Sequence, residues 1–286
     1  MDISVKKIKY DYNTLPSGLT WYFIGQPKTW KTSAASEWSE KGKDGVLIID
    51  TDLGADFCDG ANIVTVTSLN PPKRFAMKDG KKIVKNGKEQ IEIVPPEERE
   101  YYSRSGDNKG KPEKVYSVAE IYAWLLKEWN SLPYDTIVID TIDKINKWIE
   151  EAVTKELGIE SMGDGNWGAD WGRARKKNLD VVVKLQNLMK KYGGNLILTS
   201  HAKQSTVTDN KVQLMPELPR GLAYGLTAKA DVIGYSTREQ KETQAYISFK
   251  GYDERTIGSR LRPLDGKILP FSYKEIKTEI EKYKEE

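Results

Sequence analysis

Short apolar runs rich in Ile, Val and Leu recur along the chain and stop at a glycine, an aspartate or a histidine. They are "WYFIG" (21–25), "VLIID" (46–50), "TIVID" (136–140) and "NLILTSH" (195–201). Continuous apolar runs of this length are typical of strands buried on both faces of a parallel sheet, whereas half-exposed strands alternate apolar and polar residues. The runs therefore predict four buried parallel strands.

Segments with helical periodicity separate these runs. The segment 117–132 begins with Ser117 and Glu120, the spacing of a capping box, and repeats apolar residues on one helical face. Helices are also predicted over 32–42, 143–157 and 169–194, the last ending at a glycine pair suited to a C-cap. Strands that alternate with helices of this length indicate an α/β fold with a mainly parallel sheet flanked by helices.

Two stretches interrupt this alternation. Residues 71–115 are polar and basic, and the pairs Asp79-Gly80 and Asn86-Gly87 are hairpin-turn signals, so we predict an inserted hairpin or loop. Residues 202–230 carry Pro216 and Pro219 with little periodicity, which predicts a long loop of the kind that is functional or disordered.

The end of the chain contains two further predicted elements. A closing pair of strands is expected within 229–256, and the charged segment 271–286 is expected to be an amphipathic helix. We therefore predict one domain over 1–270, followed by this C-terminal helix.

Composition narrows the class of protein. The 286 residues carry a formal net charge of +3, so any contact with nucleic acid must come from local basic clusters. One cysteine and one histidine exclude a disulfide framework, a multi-cysteine zinc site and a histidine-rich metal centre. The sequence has neither the apolar core of a signal peptide nor an apolar run long enough to span a membrane, so a cytoplasmic protein without membrane contact is expected.

The stretch "IGQPKTWKTS" (24–33) resembles a phosphate-binding loop, G-x-x-x-x-G-K-[ST], with Trp30 in place of the second glycine. It lies between a predicted strand and a predicted helix, where backbone N–H groups face a bound phosphate. Lys31 would neutralise the β- and γ-phosphates of ATP, and the Thr32 hydroxyl would bind Mg²⁺. The alternative is a strand–turn–helix connection that contains Lys-Thr by chance. The predicted nucleotide-binding residues are Gly25, Gln26, Pro27, Lys28, Thr29, Trp30, Lys31, Thr32 and Ser33.

The other strand ends carry matching chemistry. Asp140 would hold Mg²⁺ through water, although an aspartate here, like Asp143, can instead cap the next helix. Asp52 would orient the water that attacks the γ-phosphate, unless it is simply an exposed loop acid. His201 would sense the γ-phosphate at the carboxyl edge of the sheet, unless its role is structural. Together these strand ends favour a nucleotide site.

The order of "GxPKxxKT", "VLIIDTD", "YDTIVIDTID" and "LILTSH" resembles the RecA-like P-loop ATPases of bacteriophages, including the RecA-related branch of the Sak-type single-strand annealing proteins. The resemblance covers about residues 18 to 262 and implies a RecA-like core that uses ATP and Mg²⁺. In that family the acid after the second strand is the catalytic base and is commonly glutamate, so the shorter Asp52 implies slower hydrolysis. The family has glycine where this chain has Trp30, and a side chain there must avoid positive φ or tolerate strain.

The same resemblance implies that the loops after the third and fourth strands line a DNA axis. These loops correspond to 158–178 and 202–228. The first interleaves tryptophans, which stack on bases, with cations, which meet phosphates. The alternative is that the tryptophans pack in the core and the basic run is a solvated helix face. The predicted DNA-binding residues are Trp167, Trp171, Arg173, Arg175, Lys176 and Lys203.

RecA-like proteins also place a basic residue in the ATP site of a neighbouring subunit. Lys250 and Arg255 are the candidates here, and the alternative is that both are surface residues of a terminal hairpin. A cation supplied by a neighbour predicts a homo-oligomer that is a ring or a filament.

The leading hypothesis is thus an ATP- and Mg²⁺-dependent ATPase that binds single-stranded DNA in phage recombination, annealing or replication. A single-strand-binding protein is a candidate partner, and the bacterial cytoplasm is the expected location. Two alternatives stay open. One is a nucleotide-gated DNA-binding module with negligible hydrolysis, and the other is a helicase loader or packaging-type motor.

Overall fold

Within the residues described by this computed structural model, eleven strands form one central sheet. The described residues are 14–99, 101–104, 109–207, 211–239, 243–251 and 256–283. The strands are β1 (Thr20–Gly25), β2 (Val46–Asp50), β3 (Asn62–Ser68), β4 (Tyr116–Ser117), β5 (Thr136–Asp140), β6 (Asn195–Val207), β7 (Lys211–Pro216), β8 (Val232–Thr237), β9 (Tyr246–Ser248), β10 (Gly258–Ser259) and β11 (Ile268–Pro270).

The strand order is β4-β3-β2-β5-β6-β1-β8-β9-β11. Within this order, the first seven strands, β4-β3-β2-β5-β6-β1-β8, are parallel to one another. The strands β9 and β11 continue the sheet in antiparallel fashion, while β7 pairs with β6 and β10 with β8. The predicted mainly parallel α/β fold is confirmed. The four apolar runs of the sequence form β1, β2, β5 and β6, which are adjacent, so their carboxyl ends meet at one edge of the sheet.

Helices cover both faces of this sheet. They are α1 (Lys31–Ala35), α2 (Val118–Glu128), α3 (Ile142–Leu157), α4 (Ala169–Tyr192), α5 (Arg220–Lys229) and α6 (Tyr273–Glu281). Alternate residues of β1 point to opposite faces of the sheet. Tyr22 and Ile24 pack in the core beneath α2 to α5. Trp21 and Phe23 pack in the core beneath α1 and α6. Since both faces are buried, these strands are mostly apolar on both faces rather than alternating apolar and polar residues.

The helix predicted over 32–42 is much shorter than expected, because α1 ends at Ala35. The chain then turns so that the indole of Trp38 is fully buried, with ring centroids 5.0 Å from Trp21 and 4.7 Å from Phe23. Burial of a large apolar side chain contributes about 1.5–3 kcal/mol, more than the roughly 1 kcal/mol of one net backbone hydrogen bond. Tertiary packing therefore overrides the local helical preference.

The inserted segment is built of three small two-stranded antiparallel ladders. They pair Lys73–Phe75 with Ile91–Ile93, Met77–Lys78 with Lys81–Lys82, and Val84–Lys85 with Lys88–Glu89. Both hairpin turns expected from the sequence are present, with positive φ at Asp79 and Gly80 and again at Asn86 and Gly87. Two successive residues of positive φ are what the twist of a two-residue hairpin requires.

The prediction of a long loop over 202–230 is wrong. Strand β6 runs on to Val207 and pairs with β7, and α5 follows from Arg220. The two prolines that suggested a loop lie at element ends, where the missing N–H is tolerated: Pro216 is the last residue of β7, and Pro219 is the N-cap residue of α5.

The predicted C-terminal helix is present as α6. Its apolar residues Ile276 and Ile280 are fully buried in the same core as Trp38, which ties the end of the chain to the face of the sheet that carries α1. Across the described ranges, every helix is too short or too polar to cross a membrane.

Candidate functional site

The loop that joins β1 to α1 lies in the middle of the sheet edge. Gly25, the last residue of β1, pairs with His201 on β6 and with Ser236 on β8. A Cβ atom on Gly25 would lie 2.1 Å from Ser236 Oγ, so this close approach requires glycine. The Thr29 hydroxyl lies 2.6 Å from Ser236 Oγ and donates to the Gln26 carbonyl at 2.8 Å. Ser236 therefore holds the loop against the neighbouring strand.

Two residues of this loop, Lys28 and Trp30, have left-handed backbone conformations with φ of 64° and 65°. Trp30 is the N-cap residue of α1 and occupies the position of the second glycine in the motif. The conformation that favours glycine is thus present, and Trp30 adopts it at a cost of about 1–2 kcal/mol. Left-handed residues within a loop turn backbone N–H groups toward a concave side, which is how anion-binding nests form.

Lys31 is the buried cation of the site, only 6% exposed. Its Nζ donates to the carbonyl oxygens of Gly25 at 3.0 Å and Gln26 at 2.8 Å. Burial lowers the pKa of Lys31, and the charges of Asp140, Asp143 and Asp52 oppose that shift. The ammonium group is thereby held against the backbone of the loop, and three carboxylates favour its charged form.

Asp140 faces the loop from the end of β5. Its Oδ2 accepts a hydrogen bond from the Thr32 hydroxyl at 2.7 Å, and its Oδ1 accepts one from the Thr199 hydroxyl. Burial raises the pKa of Asp140, and these two hydrogen bonds oppose the shift. The alternative of a helix cap does not apply, because Thr141 is the N-cap residue of α3.

The pair of Thr32 and Asp140 fits a Mg²⁺ ion that keeps most of its waters. A hydroxyl and a carboxylate from adjacent elements are the hard oxygen donors that this ion prefers. No cluster of three or more His, Cys, Asp or Glu side chains with metal-binding geometry occurs in the described part of the chain. The residues therefore suit an ion that takes its remaining ligands from water and phosphate rather than from an all-protein cage.

Asp143, in the first turn of α3, anchors β6 at the level where β1 ends. It accepts hydrogen bonds from the Ser200 hydroxyl and from the His201 backbone N–H, the latter at 2.7 Å. Its Oδ2 also lies 3.2 Å from His201 Nδ1, and this contact raises the pKa of the imidazole. The half-buried histidine is therefore held in one orientation beside Gly25.

The two acids after β2 have different environments. Asp50 is fully buried and accepts the backbone N–H groups of Gly54 at 3.2 Å and Ala55 at 3.0 Å. Burial raises the pKa of Asp50 to about 6. Asp52 is exposed at the rim, and its backbone N–H lies 3.3 Å from the Asp140 carbonyl oxygen. Asp52 is thus the acid of the two that solvent and a ligand can reach.

The predicted DNA-binding tryptophans are exposed. Trp167 is 104% exposed in the loop that precedes α4, and Trp171 is 40% exposed on the first turn of α4. The alternative that these side chains pack in the core is therefore wrong. Only 158–168 is loop, because α4 begins at Ala169. Arg173 lies 3.3 Å from Glu156, whereas Lys176 is exposed.

The starts of α4 and α5 enclose a cavity of about 390 Å³. Trp171 and Arg175 line it from α4, and Arg220 lines it from α5. The structure thus brings together the two segments that the sequence proposed for DNA binding. Lys203 is half-buried on β6, opposite Met215 of β7.

Lys250 lies away from the nucleotide loop of its own chain. Lys250 is exposed two residues past the end of β9, and β9 lies on the side of β8 that faces away from β1. Arg255, the other candidate cation, lies outside the described residues.

Several residues of the site were not predicted from sequence. The hydroxyls of Thr199 and Ser200 hydrogen-bond to Asp140 and Asp143, respectively, and that of Ser236 hydrogen-bonds to Thr29. The only sequence signal for these three residues was their polar character inside otherwise apolar runs. The guanidinium Cζ of Arg238, just past β8, lies 5.0 Å from the centroid of the Trp30 ring. No local pattern connects two residues so distant in sequence.

Comparisons with known proteins give one family match. The family model AAA_24, an AAA domain, matches residues 17–261 of the chain, a range that includes the loop, Asp52, Asp140 and His201. No curated protein matches the chain. Among solved structures, a KaiC-like protein from the hyperthermophilic archaeon Pyrococcus horikoshii is similar, with 15% identity, coverage of 89% of this chain and 85% of that chain, and a TM-score of 0.40.

Proposed function

The chain belongs to the AAA_24 family of AAA domains, and from this premise we propose that it is an ATP- and Mg²⁺-dependent ATPase that binds single-stranded DNA. One observation carries the proposal: the Thr32 hydroxyl lies 2.7 Å from Asp140 Oδ2, directly beside the buried Lys31. A hydroxyl, a carboxylate and an ammonium group together match the charges of a metal-bound triphosphate.

The loop residues 25–33 would hold the triphosphate, with Lys31 at the β- and γ-phosphates. Thr32 would bind Mg²⁺ directly, and Asp140 would bind it through water. The ion, when bound, neutralises negative charge that develops on the phosphate oxygens. Thr199 keeps the Asp140 carboxylate aimed at this position by its hydrogen bond to Oδ1.

Hydrolysis would proceed by in-line attack of water on the γ-phosphorus. The new bond joins the water oxygen to phosphorus, the bond to the β-phosphate oxygen breaks, and ADP and inorganic phosphate leave. Asp52 would orient the water and accept its proton, since it is exposed at the rim of the loop. His201, which Asp143 orients, would donate a hydrogen bond to the γ-phosphate.

Single-stranded DNA would bind at the starts of α4 and α5. The exposed rings of Trp167 and Trp171 offer stacking faces. Arg175 and Arg220 line the same cavity as Trp171, Lys176 is exposed on α4, and these three cations would contact the phosphates. An ATPase of this kind suits annealing, recombination or replication. We propose that it acts as a homo-oligomer in which Lys250 approaches the ATP of the neighbouring subunit.

The test is phosphate release from ATP with and without single-stranded DNA. Lys31→Ala should reduce turnover by at least 100-fold in both conditions, because it removes the cation beside the reacting phosphate. The double change Trp167→Ala and Arg175→Ala should keep basal turnover and lose the stimulation by DNA. The exposed Lys127→Ala on α2 is the control. Equal turnover by wild type and Lys31→Ala would contradict the ATPase assignment.

A nucleotide-gated binding module without hydrolysis is the second candidate. The observation that favours it is the left-handed Trp30 within the loop, since a bulky residue in this position reshapes the phosphate cradle. The same assay separates the two candidates: tight ATP binding with no phosphate release would select the binding module.

A further inference from the structure

The side chain of Trp30 is not buried in the core, and the phosphate chemistry described above does not use its ring. It is 41% exposed, and the residue is the N-cap of α1, directly before Lys31. The Arg238 guanidinium stacks against it, with Cζ 5.0 Å from the ring centroid. A flat aromatic face with a cation against it, at the rim of a nucleotide loop, is an arrangement that stacks on planar ligands.

The sheet order defines on which side of the loop this stack lies. Asp52 follows β2, Asp140 ends β5 and His201 lies within β6, and all three strands lie on one side of β1. Arg238 follows β8, which lies on the other side of β1, two residues after the serine that touches Thr29. The stack of Trp30 and Arg238 thus flanks the loop on the side away from Asp52, Asp140 and His201.

This sidedness orients the ligand. A triphosphate whose terminal phosphate faces Asp52 and His201 must extend its nucleoside in the opposite direction, toward β8. We propose that Trp30 and Arg238 form the nucleoside subsite of the ATP site, with the base stacked on the exposed indole face and Arg238 fixing the ring from β8. This inference rests on the proposed ATPase function and adds to it the residues that recognise the base.

The backbone of Trp30 supports the assignment. A left-handed conformation is costly for a large side chain and free for glycine, so the loop would form more readily with glycine in this position. Strained residues of this kind persist where their side chain serves a site. The indole therefore supplies a ligand contact that glycine lacks.

The experiment compares the binding of ATP with that of inorganic tripolyphosphate, both with Mg²⁺, by calorimetry. Tripolyphosphate has the charge of the ligand but no base. Trp30→Gly should weaken ATP binding by about 10-fold or more, since base stacking on an aromatic ring is worth about that factor. The same variant should bind tripolyphosphate as tightly as wild type, or more tightly because glycine relieves the backbone cost. Retained tripolyphosphate binding also shows that the variant is folded.

Four further variants test the assignment more closely. Trp30→Phe, which keeps a stacking face, should retain most of the ATP affinity. Arg238→Ala should weaken ATP binding more than tripolyphosphate binding, whereas Arg262→Ala, which removes an exposed arginine far from the loop in sequence, should change neither. Lys31→Ala should weaken both ligands.

The outcomes separate the two proposals. If Trp30→Gly leaves ATP affinity unchanged, or weakens ATP and tripolyphosphate by the same factor, the nucleoside subsite is overturned while the ATP site stands. An equal loss of both ligands in Arg238→Ala would make that residue a phosphate contact instead and would likewise overturn the pairing. If wild type binds neither ligand, the proposed function fails, and the subsite fails with it.

Discussion

At the scale of single residues, Asp50 and Asp140 end neighbouring strands and yet have different tasks. Asp140 accepts hydrogen bonds from the side-chain hydroxyls of Thr32 and Thr199, so it is part of the candidate site around the nucleotide loop. Asp50 accepts the backbone N–H groups of Gly54 and Ala55, so it shapes the turn that carries Asp52. A buried carboxylate with two backbone donors stabilises a turn, but its ionisation in the interior is costly.

Asp50 should make folding stability depend on pH. Burial raises the pKa of Asp50 from 3.8 to about 6, so the folded state binds more protons than the unfolded state in this range. Its contribution is therefore greatest at low pH and is lost as pH rises from about 4 to 6, by roughly 3 kcal/mol. Urea unfolding at several pH values should show that wild type loses stability over this window relative to Asp50→Asn.

The prediction concerns the slope of the free energy of unfolding against pH, not the free energy at any one pH. Asp50→Asn replaces one of two acceptor oxygens, which changes the stability of the variant by an amount that does not depend on pH. Asp265→Asn, which changes an exposed carboxylate, is the matched control and should keep the wild-type slope. Parallel stability profiles for wild type and Asp50→Asn would disprove the assignment of this carboxylate.

The residues of the loop were predictable from sequence because they lie in one short motif. Gly25, Lys31 and Thr32 have the spacing of a phosphate loop, and Asp140 directly ends an apolar run. Asp143 and Ser236 were missed as site residues, because their partners His201 and Thr29 are 58 and 207 residues away in sequence. Only the register of the sheet places them together.

At the scale of elements, local signals succeeded where the local interactions are strong. The start of α2 has the predicted capping box, in which Ser117 accepts from the Glu120 backbone and Glu120 accepts from the Ser117 backbone. Prediction failed for α1, because the burial of Trp38 is a tertiary effect, and for 202–230, because the hairpin pairing of β6 with β7 is not encoded in periodicity. Element boundaries therefore follow packing as much as propensity.

Glu120 should stabilise α2 and its contact with the inserted segment. Its two carboxylate oxygens accept from Arg99 Nη1 at 2.7 Å and Nη2 at 2.8 Å, and Arg99 is almost fully buried. The hydrogen bonds from Arg99 lower the pKa of Glu120 to about 2. Glu120→Gln should therefore reduce the free energy of unfolding by about 2–3 kcal/mol at pH 7, measured in urea.

The sign of this pH dependence is opposite to that of Asp50. A depressed pKa gives stability that is present above pH 4.5 and is lost as pH falls toward 2, so the difference between wild type and Glu120→Gln should shrink over that window. Glu156→Gln, which removes an exposed ion-pair partner of Lys177, is the control and should have little effect. A Glu120→Gln protein as stable as wild type at pH 7 would refute the argument.

At the scale of the whole molecule, the sheet explains why one edge carries all the candidate chemistry. The four predicted strands are adjacent and parallel, so their carboxyl ends converge on the loop after β1. The sequence predicted these strands because both of their faces are buried. It did not predict β3 or the strand order, since Asn62, Thr65 and Thr67 interrupt the apolar pattern and order depends on contacts distant in sequence.

The three ladders of the inserted segment attach to this sheet without forming part of its main core. Large apolar side chains on them are exposed, among them Phe75, Ile91 and Ile93. The ion pairs from Arg74 to Glu92 and Glu98 are also at the surface, so they contribute little to the stability of the fold. The segment leaves and returns at one place, because the Val94 N–H donates to the Pro72 carbonyl at 2.9 Å.

Excision of residues 73–93 should therefore leave the fold and the nucleotide site intact. A Gly-Ser-Gly bridge can join Pro72 to Val94, and we expect the melting temperature to stay within about 5 °C of wild type, since few core contacts are lost. Ile276→Ala on α6 is the contrasting variant: its side chain is fully buried, so the cavity should cost about 2–5 kcal/mol and a larger drop in melting temperature. Circular dichroism on heating and ATP affinity provide the two measurements. An excised protein that melts as low as Ile276→Ala, or that no longer binds ATP, would show that the inserted segment is an integral part of the core rather than an addition to it.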